Sequence, residues 1–200
     1  IIALVREVLG GIDLDPASSE IANRTVNANR IYTREDNGLS LPWRGKVWLN
    51  HPFGKGEKAC DRYTKDGKNH KKGDFNCRKR VCNDTAYKHY RGHHITKSIA
   101  GNLEWIRYLE EQYQTGHVTE AINIAFADLS SEWGRILTGG VHCIPDKRVN
   151  FWVMGDKGLE KSTGVTKGVI IRYWGENPDK FNTVFSRIGR ICEPYNPING

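Results

Sequence analysis

Short apolar runs that stop abruptly at polar residues alternate along this chain with stretches of helical periodicity, and that alternation leaves few architectures open. Residues 1–9 (IIALVREVL) place their apolar positions on one helical face and stop at Gly10-Gly11. Residues 12–16 (IDLDP) read as a short strand ending in acids and a proline, and residues 18–29 as a helix capped by Ser18 or Ser19. A short strand at 31–33 and a turn at Asp36-Asn37-Gly38 follow, then a buried-type strand at 46–50 (KVWLN) closed by His51-Pro52-Phe53-Gly54. Further on, the pattern predicts helices over 98–114, 131–137 and 181–187, and strands over 120–127, 141–144 and 189–191. Residues 148–154 and 166–174 are β-rich and flank a Gly/Lys-rich connector, so they read as a hairpin. The expectation is an α/β fold: a mostly parallel sheet with helices on both faces and an antiparallel hairpin at its edge.

Residues 54–97 break this pattern. They hold 13 Lys/Arg against five Asp/Glu, a charge of +8 in a chain whose net charge is +7, so the remainder is close to neutral. One basic appendage on a neutral body is the footprint of a polyanion binder; a solvated Lys-rich loop is the plainer reading. The segment has almost no apolar periodicity and cannot build an ordinary core. It does hold Cys60, Cys77 and Cys82, then His89, His93 and His94, in the spacing C-x16-C-x4-C-x6-H-x3-H. Three Cys with His89 or His93 would make a closed tetrahedral zinc shell, with His70 as an outside candidate, and such a structural zinc can fold a segment too polar to fold alone. Free thiols on a loop are the alternative. If the segment is metal-held, Lys71, Lys72, Arg78, Lys79 and Arg80 would face the phosphates of such a polyanion. Tyr63, Phe75, Tyr87 and Tyr90 would either stack on bases or make a small core around the metal. Two domains follow: residues 1–53 with 98–200, and the insert 54–97.

The remaining composition narrows the setting. No apolar run approaches 18 residues and mean hydropathy is −0.60, so no membrane-spanning helix is expected. The first nine residues are too short for a signal peptide. The single Met is Met154, so the chain reads as trimmed at its start. Five Cys at uneven spacing argue against a secreted disulfide framework and for a cytoplasmic protein. Cys143 and Cys192 fall in the β-rich part and read as core residues.

In parallel sheets ligands sit beyond the carboxyl ends of strands, and two strand ends here carry polar punctuation. At Asn50-His51-Pro52-Phe53 an amide oxygen and the next backbone carbonyl can each accept one hydrogen of an exocyclic amine, while the Phe53 ring stacks on the base that carries it. Two acceptors on one NH₂ aim its lone pair at an electrophile. A plain Asn-Pro turn is the alternative for the string in isolation. About 35 residues upstream, carboxylates at Asp13 and Asp15 can bind a cationic or hydroxylated cofactor, or else form an Asx turn and a helix cap.

Taken in order, G-x-D-L-D-P-A-S, D-x-G-L-x-x-P-W and V-W-L-N-x-P-F-G resemble the phage-type, Dam-like DNA N6-adenine methyltransferases. Residues Arg148-Val149-Asn150-Phe151, Tyr173-Trp174-Gly175 and Phe181 to Phe185 followed by Gly189 are similar to that family's tail. The resemblance covers most of the chain outside 54–97. It implies a Rossmann-like S-adenosylmethionine-dependent methyltransferase fold. Asp13, Asp15, Pro16 and Ala17 would line the cofactor site, with Asp36, Gly38 and Leu39 near its adenine. Asn50, His51, Pro52 and Phe53 would be the catalytic motif. The implied reaction is methyl transfer to adenine N6 of a base flipped out of duplex DNA, in a bacterial host cell and from a phage or prophage, with no protein partner evident. The motif departs from the family at His51, where Pro is usual, and at Phe53, where Tyr is frequent. His51 gives up the fixed φ of proline and brings a possible donor or base. Three other functions fit some of these features: cytosine-N4 transfer, a DNA-binding protein with an inactive core, and a one-metal nuclease around His93-His94.

Overall fold

A computed structural model describes residues 1–54, 56, 97–155, 158–161 and 166–194, with backbone alone at 153–155 and 158–161. The chain divides into two units, Ile1–Phe53 with Asn102–Gly200, and Gly54–Gly101. In the second, Gly101 lies so close to the backbone of Gly56 that a Cβ there would collide with it. All helices and strands below belong to the first.

In chain order these are α1 (Ile2–Leu9), β1 (Leu14–Asp15), α2 (Glu20–Val26), β2 (Arg30–Ile31), a 3₁₀ turn (Gly38–Ser40), β3 (Gly45–Leu49), α3 (Asn102–Gln114), β4 (Val118–Phe126), α4 (Glu132–Thr138), β5 (His142–Pro145), β6 (Trp152–Gly155), β7 (Gly158–Lys161), β8 (Val169–Trp174), α5 (Pro178–Phe185) and β9 (Gly189–Cys192). Local chemistry sets the helix ends. Gly10 closes α1 in the left-handed conformation at φ 72°, where a side chain would be strained. Ser19 caps α2 by accepting from Ala22 N–H at 3.2 Å, Ser131 caps α4 by accepting from Gly134 N–H at 3.0 Å, and Asn177 caps α5 ahead of Pro178.

Seven strands form one sheet in the order β2-β1-β3-β4-β8-β5-β9. The first four run parallel; β4 with β8, β8 with β5 and β5 with β9 are antiparallel. The mixed α/β class expected from the pattern is present, and its parallel half is compatible with a Rossmann-like sheet. Two details differ from expectation. Only one end of the sheet is parallel. The expected hairpin between 148–154 and 166–174 does not form: β6 pairs with β7 in a separate two-stranded sheet, while β8 inserts between β4 and β5. The reason is burial. Every residue from Val169 to Trp174 is buried, which an edge strand with one wet face would not tolerate.

Alternation along the strands divides the core between two faces. Trp48, Ile122, Ile124, Ile171 and Tyr173 join Val5, Val8 and Leu9 of α1 and Phe181, Val184 and Phe185 of α5 in one buried cluster. On the other face Trp174 donates to Glu110 of α3 at 2.7 Å, and Arg172 reaches the Ile136 carbonyl of α4. Cys143 is fully buried and Cys192 half-buried; both are free thiols.

Candidate active site

The chain leaves β1 for β2 on one side and then returns to place β3 on the other side of β1. That reversal opens a crevice beyond the carboxyl ends of β1 and β3, the location at which open α/β sheets bind ligands. With Leu14 in register with Val47, Asp15 at the end of β1 and Asn50 just past the end of β3 lie on the same edge of adjacent strands.

At the β3 end the four residues differ in how they are held. Asn50 is half-buried, and among the described residues its side-chain amide has no hydrogen-bond partner. His51 is 2% exposed. Its Nε2 lies 2.9 Å from Asn102 Oδ1, at the start of α3, and its Nδ1 lies 3.3 Å from Asn123 Nδ2, in β4. Asn123 Nδ2 also donates to the Leu49 carbonyl at 2.9 Å. The His51 ring lies nearly parallel to Trp105, with centroids 6.3 Å apart. Burial drives its pKa down to about 4, against a smaller opposing pull from the Asn102 hydrogen bond, so the imidazole is neutral at physiological pH. Pro52 is exposed. Phe53 is half-buried and meets Phe126 at 4.7 Å, Phe151 at 5.2 Å and His51 edge-on at 5.6 Å. Lys167 sits over the Phe126 ring at 5.3 Å, so the aromatic cluster carries a cation.

At the β1 end Asp15 is 3% exposed, and burial raises its carboxyl to about 6. The Ser18 side chain and, less strongly, the Ala17 N–H, which Oδ1 accepts at a long 3.3 Å, pull the pKa back without offsetting the desolvation. Pro16 is buried and packs against Gly38: a Cβ on Gly38 would collide with the Pro16 carbonyl oxygen and come within 3.4 Å of the Trp105 ring. Trp43, fully buried, donates to the Gly38 carbonyl at 2.8 Å and stacks toward Trp105 at 6.1 Å. Trp105 thus lies between the two halves of the site, with Gly38 on one side and His51 on the other.

Two of the expected site residues lie elsewhere. Asp13 is exposed and belongs to the amino side of β1. Its Oδ2 accepts from Lys46 N–H at 2.8 Å and its Oδ1 from Asn29 at 3.1 Å, so it clasps the start of β3. It is neither in the crevice nor a helix cap. Asp36 is exposed and closes its own loop, accepting from Thr33 N–H at 2.7 Å and from the Thr33 hydroxyl at 2.8 Å, which lowers its pKa. Leu39 is half-buried in the 3₁₀ turn beside Gly38.

Cys60, Cys77, Cys82, His89 and His93 lie outside the described residues, as do Lys71, Lys72, Arg78, Lys79 and Arg80. Among the described residues no group of three or more His, Cys, Asp or Glu could hold a metal ion, and no helix is long and apolar enough to cross a membrane. A cleft of about 870 Å³ opens at the opposite edge, by the amino ends of β3 and β4. In its lining Tyr173 donates to Glu120 at 2.7 Å, and Lys46 lies 3.7 Å from the same carboxylate. The unpaired Asn50 amide and the buried Asp15 carboxyl are at the carboxyl edge. Asn102, Asn123 and Trp105 were not singled out by motif; Asn123 alone left a trace, as a polar residue inside the apolar run of β4.

Compared with protein-family models, with curated proteins and with solved structures, the chain finds no match in any of the three.

Proposed function

We propose that the protein is an S-adenosylmethionine-dependent methyltransferase acting on the exocyclic N6 amine of adenine in DNA. The observation that carries this reading is the Asn50 amide: half-buried, without a partner among the described residues, and next to an aromatic face at the carboxyl end of β3. An amide that no described side chain or backbone group engages, and whose atoms solvent still reaches, is open to a ligand, and its oxygen suits a donor such as NH₂. Asn50 Oδ1 accepts one amine hydrogen, the His51 carbonyl accepts the other, and Phe53 stacks on the base. Together they hold the nitrogen lone pair directed and stabilise positive charge as it develops there.

The adjacent strand end fits the cofactor. Asp15 is a buried carboxyl with weak local solvation, ionised at neutral pH, and so suited to a ligand bearing hydroxyl or cationic groups. When bound, S-adenosylmethionine supplies a methyl group on a sulfonium that an amine nitrogen can attack. Asp15, Pro16, Ala17 and Gly38 would hold it. The base reaches this crevice only when turned out of the duplex, because its amine is inaccessible within the stack. The basic segment 54–97 is the proposed DNA contact, with a structural zinc at its cysteines.

The test is incubation of plasmid DNA with the protein and S-adenosylmethionine, followed by digestion and mass spectrometry of the nucleosides. N6-methyldeoxyadenosine is the expected product. N4-methylcytosine would move the substrate to the other amine-bearing base, and unmodified DNA bound with normal affinity would reduce the protein to a binding module.

A further inference from the structure

We propose that Asn123 and Asn102 are positioning residues that turn His51 into a fixed strut, holding the main-chain carbonyl of residue 51 where a proline ring would otherwise hold it. This rests on the reading of the residue-51 carbonyl as the second acceptor for the substrate amine.

The chain of hydrogen bonds has one possible direction. The Leu49 carbonyl can only accept, so the Asn123 group 2.9 Å from it is the NH₂. The same NH₂ faces both His51 Nδ1 and the Ile124 carbonyl at 3.3 Å, so its two hydrogens are shared among three acceptors, and Nδ1, facing a donor, carries a lone pair rather than a proton. The ring proton therefore sits on Nε2, which donates to Asn102 Oδ1 at 2.9 Å. Both ring nitrogens are committed. The ring is also covered by Trp105 on its face and met by Phe53 at its edge. Rotation about the backbone at residue 51 would drag the imidazole out of two hydrogen bonds and an aromatic slot. Proline removes the same freedom covalently; here two asparagines from α3 and β4 remove it by tethering. The geometry also places the one ring lone pair, on Nδ1, against the buried Asn123 amide, so it faces the interior and not the crevice.

The strut is tested first without DNA. Long-range ¹H–¹⁵N correlation spectra of the full chain should show His51 as the neutral Nε2–H tautomer, with an Nε2 proton that exchanges slowly. A Nδ1–H ring, or a mixture, overturns the proposal. Positioning is then tested by a double-mutant cycle in methyl transfer. Asn102→Ala should lower kcat about tenfold or more while leaving KM for S-adenosylmethionine unchanged. Asn102→Asp, which still accepts from Nε2, should recover most of the loss. In a His51→Pro background the further effect of Asn102→Ala should fall below about twofold, because the strut no longer depends on it. Equal losses in both backgrounds would make Asn102 merely structural and overturn the positioning role, with the methyltransferase reading intact. A native protein that transfers no methyl group would overturn that reading, and with it the purpose assigned to the strut, whatever the spectra show.

Discussion

Asn123 reaches from β4 to the last residue of β3, its amide nitrogen 2.9 Å from the Leu49 carbonyl. Both residues are fully buried and in register, so the bond is made where water cannot replace it. It ends the β3 ladder at the point where the Asn50–Phe53 loop begins. Replacing Asn123 with Leu keeps the branching of the side chain and removes the donor, which takes that hydrogen bond from the Leu49 carbonyl and from His51 Nδ1. Urea unfolding should register a loss of about 2 kcal/mol. A variant as stable as the native protein would mean that this bond does not hold the strand end.

Two buried groups titrate in opposite senses near neutral pH. His51, lowered from 6.5 to about 4, contributes stability that is complete above pH 6.5 and is lost as pH falls toward 4, because the unfolded chain takes up the proton first. Asp15, raised from 3.8 to about 6, contributes stability present at low pH and lost as pH rises through 6. Each effect is worth roughly 3 kcal/mol. Between pH 4 and 6 they oppose each other in the native protein. Asp15→Asn should expose the His51 term, so its stability relative to native should fall progressively as the pH drops from 6 to 4. His51→Gln should change in the opposite direction. Denaturation at several pH values checks both, and parallel pH profiles for all three proteins would contradict the assignment.

Gly38 has no room for a side chain. Gly38→Ala drives a methyl group into the Pro16 carbonyl, backbone against side chain with no flexible end to yield, and disturbs the Trp43 hydrogen bond to the Gly38 carbonyl. The variant should lose about 2 kcal/mol or more, seen as a lower Tm, and should bind S-adenosylmethionine more weakly in calorimetry. Unchanged cofactor affinity would separate this turn from the cofactor site.

Phe53 lies against Phe126 and Phe151 and, on the proposed function, offers its face to the substrate base. Phe53→Tyr keeps that face and should retain kcat/KM within a few-fold. Phe53→Ala should lose about 10- to 100-fold in kcat/KM, the value of one base–aromatic stack. Equal activity of the two variants would remove the stacking role.

The helices and most strands were legible because periodicity and caps are local. Ser19 before Glu20 and Ser131 before Glu132 are sequence signals of helix starts, whereas the last helix, expected over 181–187, begins at Pro178 behind its Asn177 cap; the Asn50 motif announced itself by its position after an apolar run. Strand partners were not legible. Residues 148–154 and 166–174 have similar β character, and only the nonlocal burial of both faces of β8 decides that it sits inside the sheet. The same limit applies to the site. Asp13 and Asp15 are two residues apart, yet Asp13 precedes β1 and accepts from the start of β3, while Asp15 ends the strand and is buried at the crevice, a difference set by where the two-residue strand begins and pairs rather than by residue type. Asn102 and Asn123 lie 51 and 72 residues beyond the ring they hold, and no motif links them to it. The polar Asn123 within a buried strand was the available clue, since such a group must find a partner.

The most direct test compares native protein with Asn50→Ala on the same DNA, each with S-adenosylmethionine, reading the methylated nucleoside by mass spectrometry and cofactor affinity by calorimetry. The account predicts N6-methyldeoxyadenosine from the native protein, none above background from Asn50→Ala, and closely similar cofactor affinity for both. Undiminished product from Asn50→Ala, or no methylated adenine from the native protein, would contradict it.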